Sequence, residues 1–484
     1  MLFILSVFLP ILLGIALYAC PMNDRLRDRC VVASLFLTGI LTAVCVIVGA
    51  DFTLWNLTDT IAIAFRIDGI SRIYLFLLAL VLPFVGLYAT EYLEHESRRK
   101  TFYLFYLITA GVLNALVTAR NLITLYMFYE MMTLCTIPLV LFNGSRESVS
   151  AAIKYLVYSV FGASAALLGI FFVGSCGMGF DFQAGGFLKD AVAGREHTAL
   201  IILFAMIAGF GVKAGMFPMH AWLPTAHPVA PAPASAVLSG IITKMGVLGV
   251  IRVIFYVAGV DLLRGTWVQY VFMALTVVTV ILGSAMAFQE KLFKKRLAYS
   301  TVSQVSYVLF GLATMSELGF VGALLHILFH SLIKNTLFMG AGSIIHKTEY
   351  THVDQLGGIG KRMPATLWCY TLVSLGLIGI PPTGGFISKW QIAEGSLGLS
   401  VAGNWIGPVA LLISAVLTAA YLLPIALRGF FPEEGSPAAE ITEKCEVSRR
   451  MLVPMILFAA LVVLLGMFPN PLVHAFTDIA RNIL

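Results

Sequence analysis

Long apolar runs separated by short polar stretches set the pattern of this chain. Runs of at least about 17 residues can cross roughly 30 Å of hydrocarbon as helices. Fourteen are predicted, near 1–20, 31–50, 69–90, 101–119, 121–142, 150–174, 199–222, 231–258, 267–288, 297–315, 318–345, 364–395, 406–428 and 451–469. The first, MLFILSVFLPILLGIALYAC, resembles the apolar core of a signal peptide. No cation precedes it and it runs about 20 residues, so it reads as a retained span. An even number of crossings puts both termini on one side.

Two spans carry strong breakers. KAGMFPMHAWLPTAHPVAPAPASAVLSG (213–240) holds Pro218, Pro224, Pro228, Pro231 and Pro233; IGIPPTGGFISKWQ (378–391) holds Pro381, Pro382, Gly384 and Gly385. Proline removes a backbone donor and clashes with the preceding turn. Within a bilayer such a break survives only where protein or a water-lined cavity satisfies the freed groups. The breaks lie five spans apart, so spans 4–8 (101–258) and 9–13 (267–428) are predicted to form two five-helix units of opposite topology, each with a broken helix. Three helices precede them in 1–100, and a cytoplasmic loop and last helix follow in 429–484. The fold class is therefore an all-α polytopic membrane protein of about fourteen transmembrane helices with two inverted repeats.

Charge then sets the orientation. One alternate set of loops (21–30, 91–100, 143–149, 289–296, 346–363, 428–450) holds 18 Lys and Arg; the other holds seven, Arg66, Arg72, Arg120, Lys189, Arg195, Arg264 and Arg481. Cytoplasmic loops carry the excess of cations. NDRLRDR, ESRRK and EKLFKKR are thus expected in the cytoplasm and both termini outside, in a cell inner membrane. The chain is 59% hydrophobic and 12% charged, against roughly 25% charged in soluble domains. Its net charge of +6 does not call for nucleic acid, because the basic residues sit in short loops between apolar runs. The seven cysteines form no C-x-x-C pair, and neither G-x-G-x-x-G nor a Walker loop occurs. No iron–sulfur, zinc or nucleotide cofactor is expected in this chain.

The remaining six cations, Lys154, Lys213, Lys244, Arg252, Lys334 and Lys389, fall within spans, and Glu130 is the clearest mid-span acid. Each such charge costs about 2.5–3.5 kcal/mol at a helix centre. Lys154 and Arg252 lie near span ends and can snorkel; Glu130, Lys213, Lys244 and Lys334 have less escape, and function is the default reading for them. In LLHILFHSLIK, His326, His330 and Lys334 stand at i, i+4 and i+8 on one helix face. Steps of about 6 Å need bridging water for proton transfer, and histidine titrates near neutrality. This stretch reads as part of a proton wire. Zinc is disfavoured, since residue 327 is Ile where a zincin has glutamate. A purely structural role, bonding neighbouring helices, is the other rival. Glu130 in LYMFYEMMTL is the natural counter-ion of Lys213, a pair whose opening would let a proton pass to Lys244; the rival is a static pair. Lys389 follows the second break as Lys213 precedes the first. His220 and His227 flank the first break on the predicted cytoplasmic side.

These segments resemble a known family. KAGMFPMHAWLPTAHPVAPAPASAVLSGIITKMG, LYMFYEMMTL, KKRLAYSTVSQVSYVLFG, LLHILFHSLIKNTLFMGAGSI and PPTGGFISKW match, in order and spacing, the antiporter-like subunits of respiratory complex I, membrane-bound hydrogenases and formate hydrogenlyases, and Mrp-type sodium/proton antiporters. The resemblance implies fourteen helices, inverted five-helix repeats and a hydrophilic axis carrying protons or cations. It assigns Glu130 as the fifth-helix glutamate and Lys213 as its seventh-helix partner. Lys244 becomes the eighth-helix connector, His326, His330 and Lys334 the eleventh-helix relay, and Lys389 the twelfth-helix terminal charge. Ser239 stands where many complex I members have histidine. The implied function is a proton- or cation-translocating, non-catalytic subunit of a redox-driven complex such as a membrane-bound hydrogenase or complex I-like oxidoreductase. The alternative is an Mrp-type antiporter subunit without redox partners. Implied partners are other membrane subunits, further antiporter-like chains among them, and peripheral subunits with iron–sulfur clusters. A catalytic oxidoreductase subunit binding quinone or metal is disfavoured by the missing cofactor motifs.

Overall fold

A computed structural model describes residues 2–58, 60–400, 403–432 and 443–484. Among them, twelve helices are long and apolar enough to cross a membrane. The chain is a multi-pass helical membrane protein. Two expected spans fall outside that set. Phe293–Ala313 is a 21-residue helix whose charged first turn and Ser, Thr and Gln positions lower its hydropathy. The expected span 364–395 is two shorter helices, Pro364–Ile378 and Gly384–Leu397. Part of the expected loop 428–450 lies outside the described residues.

Both breaks form where the prolines and glycines predicted them. Helix Glu196–Ala214 stops at Gly215 (φ 81°), and a short helix, Leu223–Val229, follows before Ala232 restarts the chain. Pro364–Ile378 stops at Gly379 (φ 93°). Glycine adopts this left-handed conformation without a Cβ penalty, which is why both helices can end there. Gly385 lets the second half-helix abut the first, for a Cβ there would lie 1.8 Å from the Gly376 carbonyl oxygen.

Other helix starts follow from side-chain capping. Asn23, Asp68, Asn121, Ser145 and Ser316 each accept a backbone N–H of the turn they precede. Between the second and third helices the chain also forms an antiparallel hairpin, Asp51–Asn56 with Ala62–Arg66, which the apolar-run pattern did not predict. After Arg449–Met467 comes a further amphipathic helix, Asn470–Arg481, also unpredicted.

Two helical stretches lie at the centre. Ala232–Ala258 is wholly buried, and nearly all of Glu317–Thr348 is too. Their buried faces are polar: Ser235, Ser239, Thr243 and Lys244 on one; His326, His330, Ser331, Lys334 and Asn335 on the other. Phe293–Ala313 adds Ser300, Thr301, Ser303 and Gln304. Apolar side chains face outward on the peripheral helices, so the molecule has a polar axis inside an apolar jacket.

Candidate functional site

Lys213 stands in the last turn of Glu196–Ala214 and is buried. Its ammonium donates to Thr133 Oγ1 (2.8 Å), Ser159 Oγ (2.8 Å) and Tyr155 OH (3.1 Å). It also lies 4.5 Å from the Tyr155 ring centroid and 5.5 Å from that of Tyr129. The expected ion pair with Glu130 is not a contact: no carboxylate comes within 4.0 Å of this ammonium among the described residues. The reason is stoichiometric. An ammonium has three donors, and three hydroxyls already take them. Glu130, one helical turn before Thr133, keeps a buried Oε1 without a hydrogen-bond partner.

Lys244 follows a π-helical turn, Leu238–Ile242. Such wide turns recur at functional sites because they free backbone groups for other partners. Here the Ser239 carbonyl accepts from Lys244 Nζ (2.5 Å) and Thr243 Oγ1 (2.9 Å). The Ser239 hydroxyl bonds Thr301 Oγ1 at 2.7 Å and so ties this helix to Phe293–Ala313. The π turn Leu238–Ile242 just before Lys244 packs against Glu317–Thr348, the helix that carries His326, His330 and Lys334.

The second cluster is contiguous. Lys389 donates to the Leu377 (2.5 Å) and Ile378 (3.0 Å) carbonyls, the open end of the first half-helix, where a cation is favoured. Its ammonium lies 4.8 Å from the Tyr307 ring. Tyr307 stacks on His326 (5.5 Å, 14° between planes), and His326 stacks on His330 (5.6 Å, 10°). His326 Nδ1 bonds Ser388 Oγ at 2.9 Å. One turn on, Lys334 donates to Leu297 O (3.0 Å) and Ser300 Oγ (2.8 Å), the latter also taking a hydrogen bond from Tyr421. On the i, i+4, i+8 face the two imidazoles stack, and Lys334 stands one turn beyond them. Several buried polar atoms along it have no protein partner: both His330 nitrogens, His326 Nε2, both Gln304 amide atoms, Ser331 Oγ and Asn335 Oδ1.

The two histidines flanking the first break part company. His227 is fully buried, stacks on Phe338 (4.7 Å, 20°) and has neither ring nitrogen bonded. It belongs with the central row. His220 is half-buried beside Phe217, with Lys154 as its charged neighbour.

Arg252 does not snorkel. It is buried and forks onto Asp68. Lys294, counted above with a cytoplasmic loop, instead donates to the Pro228 (3.1 Å) and Ala230 carbonyls that close the half-helix Leu223–Val229. Ser300, Gln304 and Tyr307 were also missed, although in KKRLAYSTVSQVSYVLFG they fall at i, i+4 and i+7 on one face. Among the described residues no group of three His, Cys, Asp or Glu side chains could hold a metal ion.

Residues 119–418 match the family described as NADH:quinone oxidoreductase/Mrp antiporter, TM. NADH-quinone oxidoreductase subunit N of Desulforudis audaxviator is 32% identical over 412 residues, covering 82% of this chain and 81% of that one. Hydrogenase-4 component B of Escherichia coli is 30% identical over 442 residues, or 85% of this chain and 64% of the relative, so the chain spans less than two thirds of that protein. In the structure of the Mrp complex from Dietzia sp. DQ12-45-1b, one chain superposes with a TM-score of 0.85 at 21% identity, covering 99% of this chain and 97% of that one; the fold is shared.

Proposed function

Since the chain belongs to the NADH:quinone oxidoreductase/Mrp antiporter membrane family, we propose that it moves protons along its buried row as a subunit of a redox-driven membrane complex. That complex is of the membrane-bound hydrogenase or complex I-like kind. The observation that carries this reading is the stack Lys389–Tyr307–His326–His330, with Lys334 one turn beyond on the same helix.

Each residue then has a part. Lys213 holds a proton within three hydroxyls, and Glu130, its charge uncommitted to any contact, biases that proton through space. Movement of Glu130 toward the ammonium retains the proton; movement away releases it to Lys244. Water bridges the unpartnered atoms of His330, Gln304 and Asn335, since a buried polar atom left unpaired costs about 1–3 kcal/mol. His220 and His227 feed the row from the predicted cytoplasmic side, and Lys389 ends it. The frame for this is fourteen crossings, with inverted units 101–258 and 267–428 after the helices in 1–100 and before 429–484. The chain sits in the cell inner membrane with both termini outside. It carries no cofactor, and it works beside other membrane subunits and peripheral iron–sulfur subunits, which perform the catalysis.

The shared fold with an Mrp complex supports a second reading, a subunit of an antiporter driven by ion gradients alone. Purification from the native membrane separates the two. Co-purifying iron–sulfur subunits favour the first; membrane partners without cofactors favour the second. Lys213→Ala or Glu130→Ala is expected to abolish proton pumping while partner redox turnover with artificial acceptors stays largely intact. Normal pumping in both variants would remove the gate.

A further inference from the structure

On the face opposite the Lys- and Arg-rich loops, a cavity of about 240 Å³ opens beside the hairpin. Asp68 is the one acid in its wall among the described residues, and Arg66 and Arg120, also in the wall, pair with Asp51 and Asp181. The Asp68 side chain is 22% exposed, whereas its partner Arg252, directly behind it, is 1% exposed. Arg252 Nη1 donates to Asp68 Oδ2, Nη2 to Asp68 Oδ1 (3.1 Å) and to Ser71 Oγ (3.1 Å). The guanidinium also lies against the rings of Tyr256 (4.4 Å) and Phe182 (5.0 Å), and its buried Nε has no partner.

A polar column runs inward from this pair. Ser71 and Tyr74 stand one turn apart on Gly69–Tyr92, and Tyr74 OH donates to the Lys244 carbonyl at 3.0 Å. Lys244 and Arg252 are eight residues apart, about two turns and 12 Å, on one helix face. Arg252 begins a second π-helical stretch, Arg252–Ala258, and Lys244 lies just after the first, Leu238–Ile242.

Resting on the proton-translocation reading above, we infer that Asp68 is the proton mouth of the row on this face, with Arg252 as its latch. A carboxylate held by a guanidinium stays ionised. When the fork closes, Asp68 releases its proton; when the guanidinium withdraws from Asp68, still held by the Tyr256 and Phe182 rings and Ser71 Oγ, Asp68 takes one up. The transfer is balanced: the carboxylic acid becomes a carboxylate as the Lys244 amine becomes an ammonium, through water beside Ser71 and Tyr74, and the reverse step empties the row to the cavity. A pair that only fastened two helices would need no cavity in front of it.

The test uses the assembled complex in sealed vesicles, reading proton translocation and complex yield together. Asp68→Asn is expected to lower translocation about tenfold, with Asp68→Glu restoring most of it. The double variant Asp68→Asn/Arg252→Gln keeps a hydrogen-bonded, neutral pair and avoids a lone buried charge; it is expected to assemble and still fail to translocate. Wild-type translocation by the double variant overturns the inference. If Lys213→Ala is dead while the double variant pumps normally, only the mouth is misplaced. If Lys213→Ala pumps normally as well, the underlying reading has failed with it.

Discussion

An ammonium out of water needs three acceptors, and the identity of those acceptors decides what the lysine can do. Around Lys213 they are the hydroxyls of Thr133, Tyr155 and Ser159. Neutral oxygens solvate the charge without cancelling it, so the lysine stays sensitive to Glu130. Thr133→Val deletes one acceptor at nearly constant volume. It should cost about 1–3 kcal/mol of stability, read by thermal denaturation of the complex, and slow translocation as the freed N–H turns to Glu130. In the second cluster the Tyr307 ring spans Lys389 and His326, while its hydroxyl is spent on the Leu411 carbonyl at 2.9 Å. Tyr307→Phe is therefore expected to keep most translocation and Tyr307→Ala to lose it; equal loss in both would deny the stack its role. The charged members of the site were legible in sequence because lipid penalises them. Their hydroxyl partners were not, since Ser and Thr are ordinary residues in a span and only the fold says which reach an ammonium.

At the scale of elements, the breaks were legible because proline and glycine disrupt a helix whatever surrounds them. Gly385 shows how tightly the second break is closed. Gly385→Ala would drive a methyl into the Gly376 carbonyl. A destabilisation of about 1–3 kcal/mol is expected, seen as a lower unfolding temperature and a smaller yield of assembled complex. The π-helical turns at Leu238–Ile242 and Arg252–Ala258 were not legible, for the same residues would sit equally well in an α-helix. Nor was the hairpin: strands of five and six residues between long apolar runs give too little alternation to stand out. Counting EKLFKKR as a loop hid Lys294, because the helix begins at Phe293 and carries that lysine into the fold.

Across the whole molecule, three helical stretches, Ala232–Ala258, Phe293–Ala313 and Glu317–Thr348, carry the buried polar groups around Lys244 and Lys334. In the proposed arrangement of inverted units the first belongs to one and the other two to its counterpart, and the proposed row crosses their boundary at Lys244. This is the reason that lysine matters more than its single carbonyl contact suggests. The central claim is that charge passes sideways through the subunit by way of Lys244, and the most direct measurement is proton translocation by the assembled complex carrying Lys244→Met in sealed vesicles. Methionine keeps the length and removes the titrating group. Translocation should fall about tenfold or more, at least about 1.4 kcal/mol of added barrier, with the complex assembled at its usual level. Translocation at the wild-type rate in that variant would contradict the account.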